Sequence, residues 1–180
     1  YTEVYFWGMP GLGKTCAISG ILGHADKQGV LNTQKGTGFH YMNQLKNVFL
    51  GDVGILPPAN PTEVTQYLPF NLQDKNNRSH PIALIELSGE VFQCFYYKVG
   101  QLPLPGESHE KAFETLNTYL SGPNRKIHFF VIDLAKSPTA TDVFGLTQAN
   151  YLEAAKEYFS KENIFNNTTD AIYIIATKSD

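Results

Sequence analysis

Between positions 8 and 15 the chain reads Gly8, Met9, Pro10, Gly11, Leu12, Gly13, Lys14, Thr15, which fits G-x-x-x-x-G-K-[ST] at every fixed place. Glycines at those places let backbone N–H groups approach an anion, and a helix starting there adds the positive end of its dipole. The lysine can reach the outer phosphates of a nucleotide, and the hydroxyl that follows it suits Mg²⁺. This chemistry needs a strand before the loop and a helix after it. Val4, Tyr5, Phe6 and Trp7 form a short β-rich run, and residues 16–22 place apolar side chains at near-helical spacing. The residues therefore predict a nucleotide bound through Gly8, Pro10, Gly11, Leu12, Gly13, Lys14, Thr15 and Cys16.

The elements that must carry this loop follow along the chain. A helix is expected over 41–49, and Pro57, Pro58 and Pro61 then enforce an extended loop. Residues 65–72 read as a strand at a sheet edge, because Pro69 cannot donate to a ladder. Continuous apolar runs over 81–87, 127–133 and 171–176 have the character of strands buried on both faces. Helical periodicity covers 107–120 and 147–159, the second with Tyr151, Leu152, Ala155, Tyr158 and Phe159 as its apolar face. Core strands alternating with helices predict an α/β fold: a three-layer α/β/α sandwich, mostly parallel, with one antiparallel edge strand.

With 180 residues the chain suits one domain spanning 1–180, and 42% hydrophobic with 13% aromatic residues suffices for a packed core. Lys+Arg 14 against Asp+Glu 17, with no polybasic run, argues against nucleic acid or an anionic membrane as a partner. No stretch has the length and apolarity of a membrane span. Two cysteines, Cys16 and Cys94, exclude a disulfide framework, and five scattered histidines lack metal-ligand spacing. The opening Tyr1, Thr2, Glu3 leads straight into the first strand without a secretory pattern, so a cytoplasmic protein is expected.

Three further segments resemble motifs of P-loop GTPases of the translation-factor and Ras-like class. Glu86, Leu87, Ser88, Gly89 resembles D-x-x-G, with Glu in place of Asp. In that family the acidic residue contacts Mg²⁺ through water and the glycine N–H senses the γ-phosphate; Glu90 then stands where many members carry a water-orienting Gln. Thr62, after Pro61, resembles the threonine that closes over Mg²⁺ and the γ-phosphate, with Thr65 in reserve. Thr177, Lys178, Ser179, Asp180 resembles [NT]-K-x-D, whose Asp accepts hydrogen bonds from guanine while the Lys stem covers the base. Adenine lacks that pair of donors, so the carboxylate discriminates. The resemblance implies GTP or GDP with Mg²⁺ as cofactors. It assigns Lys14, Thr62 and Glu90 to catalysis, and Gly89, Thr177, Lys178 and Asp180 to the nucleotide. Thr15, Thr62 and Glu86 are its metal ligands. It also implies a molecular switch read by a protein effector or regulator, with the loop around Thr62 and residues 90–107 ordered by the γ-phosphate; Pro103 and Pro105 mark the second stretch, like the first, as irregular loop. Members carry one more strand and helix after [NT]-K-x-D, which makes this chain a fragment by that comparison.

Two other readings stay open. The loop also resembles that of AAA+ ATPases, with Asp133 at the end of a Walker B-like strand, although Leu134 stands where that family places its catalytic Glu. A degenerate module that holds nucleotide without useful turnover would fit Glu86 and the missing Gln. The aromatic run over 91–97 serves either core packing or a partner-reading segment.

Overall fold

In chain order the elements are β1 (Thr2–Trp7), α1 (Lys14–Lys27), β2 (Leu31–Asn32), α2 (Thr37–Leu50), β3 (Gln66–Gln73) and β4 (Ser79–Glu86). They continue with α3 (Gly89–Val99), α4 (Glu107–Leu120), β5 (Arg125–Asp133), α5 (Gln148–Lys161) and β6 (Thr169–Thr177). The computed structural model describes residues 1–32, 36–50 and 65–178. Local chemistry sets several boundaries. Ser88 Oγ accepts the Glu90 N–H at 3.2 Å and starts α3. Thr147 Oγ1 accepts the Asn150 N–H at 3.2 Å while Asn150 Oδ1 accepts the Thr147 N–H at 3.0 Å, a reciprocal cap that starts α5. Glu107 and Glu110 in the first turn of α4 complement its dipole.

The six strands form one sheet in the order β2-β3-β4-β1-β5-β6. The β4–β1, β1–β5 and β5–β6 pairs are parallel, and β3 runs antiparallel to both β2 and β4. Tyr5 and Trp7 point to one face, where the Trp7 ring meets Phe95 of α3 at 5.8 Å and Phe159 of α5 at 5.2 Å, both edge-on. Phe95 in turn meets Phe113 of α4 at 5.5 Å. Such aromatic pairs add about 0.5–1.5 kcal/mol each beyond the area they bury. Phe6, on the opposite face by alternation, lines a cavity together with Ile18 of α1. Helices flank both faces, an arrangement compatible with a three-layer sandwich. Among the described residues no helix is long and apolar enough to cross a membrane.

Three expectations need correction. The antiparallel strand β3 is not the edge: the two-residue β2 lies outside it, pairing with Leu72 and Asn71. Beside Pro69 the β3 backbone is covered by α2 instead, since a Cβ on Gly38 would lie 2.3 Å from Pro69 O. Residues 90–107 are not one irregular loop. Apolar residues at 91, 92, 94 and 95 form the buried stripe of α3, and Pro103 and Pro105 fall after it. The aromatic run is accordingly core packing, with Phe92 and Phe95 buried. Finally, β6 is an edge strand rather than a core one, pairing with β5 alone. Ile172, Tyr173 and Ile174 are 47%, 50% and 72% exposed. A continuous apolar run shows β propensity, but burial depends on what packs against it.

Candidate functional site

The parallel strands β4, β1 and β5 end side by side, and the loop after β1 crosses that end into α1. Gly13 has φ +84°, a left-handed conformation that favours glycine, and it precedes α1 without any side-chain cap. The first-turn N–H groups are thus left for a ligand. Gly8 answers to a close approach, because a Cβ there would lie 2.9 Å from Val131 O. Gly89 does so from the far side: its Cβ would meet Pro10 N at 2.3 Å and Met9 C at 2.6 Å. The loop is clamped between β5 and the start of α3.

This clamp leaves a cavity of about 340 Å³, lined by Pro10, Gly11, Gly13, Lys14, Thr15 and Cys16 of the loop and α1. Glu86, Ser88, Gly89 and Glu90 close it on the β4 side, and Lys178 on the β6 side. Its volume lies in the range of small-molecule sites. Lys14 folds back on the loop, its Nζ donating to Gly8 O at 3.0 Å and Met9 O at 3.2 Å. Burial pushes the Lys14 ammonium down to about 8, with the Glu86 carboxylate acting in the opposite direction. Glu86 is 4% exposed at the end of β4, where the acidic residue is expected. The phenol of Tyr41 on α2 is pushed well up, first by burial and then by the Glu86 carboxylate beside it. Glu90 stands at the mouth, with its Oε2 3.5 Å from His109 Nε2 of α4.

The end of β6 is joined to the loop. Thr177 Oγ1 lies 2.9 Å from Leu12 O and 3.0 Å from Ile132 O. Lys178 Nζ donates to Asp133 Oδ2 at 2.7 Å and to Gly11 O at 3.4 Å. That ammonium holds the Asp133 carboxyl below the usual carboxylate range. Thr15, Glu86, Gly89, Glu90 and Lys178 therefore come together around one cavity with Lys14. Leu12 does not line it; its side chain is buried and its carbonyl faces Thr177. Thr62 and Asp180 lie outside the described residues. The reserve candidate Thr65 is half-buried one residue before Gln66, which pairs with Glu86.

Sequence reasoning missed Tyr41, His109 and the partnership of Asp133 with Lys178. Tyr41 and His109 carry no motif, since each reaches the site from a separate helix. Asp133 was legible only as a strand-end acid competing with Glu86. No protein-family model matches the chain, and no curated protein matches it significantly.

Proposed function

We propose that the chain is a Mg²⁺-dependent guanine-nucleotide-binding domain of P-loop type that hydrolyses GTP to GDP and acts as a molecular switch. The observation that carries the reading is the convergence of Lys14, Thr15 and Glu86 on one cavity at an uncapped helix start. Uncapped N–H groups of α1 and the Lys14 ammonium supply the positive charge that phosphates require. Thr15 and Glu86 offer hard oxygen donors, and Mg²⁺ ordinarily takes only one or two from protein, filling its shell with water and phosphate. When bound, Mg²⁺ would neutralise charge developing on the phosphates. Lys14 would leave the carbonyls of Gly8 and Met9 to pair with the β- and γ-phosphates. Glu90, at the mouth, would orient the attacking water. Lys178 would lay its stem against the base, with Asp180 accepting from the guanine edge.

The ATPase reading would give the metal to Asp133, whose carboxylate is occupied by Lys178 and by the Ala135 N–H at 3.0 Å. Of the two strand-end acids, Glu86 is the one that shares the cavity with Lys14, and this favours the GTPase assignment. The approach of Glu90 to His109 favours slow turnover, as in a module that holds nucleotide mainly as a switch. Calorimetric titration of the chain with GDP and with ADP, both with Mg²⁺, tests the base assignment. Tighter binding of GDP is expected, and equal affinities would remove it. Phosphate release from GTP then separates an enzyme from a binding module.

A further inference from the structure

We infer that Asp133 is a positioning residue for base recognition, holding Lys178 so that its stem lies across the nucleotide base. The inference rests on the guanine-site reading above and adds a residue outside the four motifs that led to it.

Lys178 sits at φ +54°, a left-handed conformation that costs a non-glycine residue free energy and persists only where its surroundings hold it. Two contacts hold the side chain: Asp133 Oδ2 at 2.7 Å and Gly11 O at 3.4 Å. The first is the short, charge-assisted one, and its acceptor is the fixed partner. Asp133 is 7% exposed, whereas the Lys178 side chain is 51% exposed. A half-exposed lysine alone would sample many rotamers, and an ordered carboxylate removes that freedom.

Asp133 and the turn that follows it are fixed by three sets of contacts. The carboxylate oxygen Asp133 Oδ1 accepts the Ala135 N–H at 3.0 Å. Gln148, the first residue of α5, brackets its backbone: Asp133 N–H donates to Gln148 Oε1 at 3.0 Å, and Gln148 Nε2 donates to Asp133 O at 3.3 Å. The Leu134 N–H donates to Thr177 O at 3.1 Å, tying the same turn to the residue before Lys178. With its ammonium anchored at Asp133 and Gly11, the stem must run along the cavity rim, where Lys178 is a lining residue. Lys178 is thereby pre-organised before nucleotide arrives, which lowers the ordering cost of binding.

The test is a double-mutant cycle on the full chain, read as the Kd for Mg²⁺–GDP. Asp133→Asn keeps the Ala135 bond and the shape but removes the charge. Lys178→Met keeps an unbranched apolar stem without an ammonium to hold. Asp133→Asn should weaken GDP binding about tenfold in the parent chain and less than twofold in the Lys178→Met background. Equal losses in the two backgrounds would mean that Asp133 acts through general folding, and the inference fails. A loss below twofold in the parent chain also overturns it. If the parent chain binds ADP as tightly as GDP, the guanine reading itself fails before any variant is made, and the positioning role falls with it.

Discussion

Acidification should unfold this protein partly through a single buried imidazole. His128 is fully buried, its ring packed beside the stacked pair of Tyr5 at 5.2 Å and Trp7 at 5.9 Å. Trp7 Nε1–H donates to His128 Nδ1 at 3.0 Å, which puts the imidazole proton on Nε2. Burial first, and the Lys126 charge second, push the imidazole down from its ordinary 6.5 to about 4. Because the folded value is depressed, the unfolded chain binds the proton first. The stabilisation is complete above pH 6.5 and drains away as pH falls toward 4. Linkage over that interval amounts to about 3 kcal/mol, of which about 2 kcal/mol is lost by pH 5. For a chain of this size that corresponds to a Tm lower by about 4–8 °C at pH 5 than at pH 7 from this group alone. Carboxylates also lose stability on acidification, so the measurement is a difference between His128→Phe and the parent across pH 7 to 5. The variant keeps an aromatic ring but strands the Trp7 N–H, costing roughly 1–3 kcal/mol at neutral pH. Its Tm should nevertheless fall less steeply, and the two curves should converge toward pH 5. Trp7 is the sole tryptophan, so fluorescence of that ring follows the transition directly. Parallel Tm curves for variant and parent would refute the reasoning.

Three other perturbations reach the candidate site. Lys14→Ala should weaken nucleotide binding by at least tenfold in a calorimetric titration, since hydrogen bonds to charged groups are worth roughly 1.5–3 kcal/mol each; unchanged affinity would remove the phosphate-binding role. Gly89→Ala places a Cβ 2.3 Å from Pro10 N, so the 8–13 loop must shift, and both Tm and GDP affinity should drop; an unaltered Kd would show that the loop tolerates the intrusion. Thr177→Val removes a hydroxyl from between Leu12 O and Ile132 O, and about 1 kcal/mol of stability should go with it in denaturant unfolding.

The features legible along the chain are local ones. The glycines of the 8–13 loop and the periodicity of 107–120 each act within a few residues, so their consequences could be read without the fold. The coincidence of α4 with the predicted range, and the loop between β1 and α1, follow from that. Tertiary structure decided whatever depends on neighbours distant in the chain. The apolar run of β6 satisfies the pattern of a buried strand, yet its position at the sheet edge leaves Ile174 largely exposed. The aromatic stretch after Gly89 could have served a partner or a core, and α5 packing against α3 through Phe159 and Phe95 made it core. Asp133 and Glu86 are both acids at strand ends, equivalent by local pattern. They part company because Lys178 follows the strand next to Asp133, whereas Glu86 ends the strand on the other side of β1 and shares the cavity with Lys14. Strand order is a property of the whole sheet, set by packing and pairing across long stretches of chain, and no spacing within a motif encodes it.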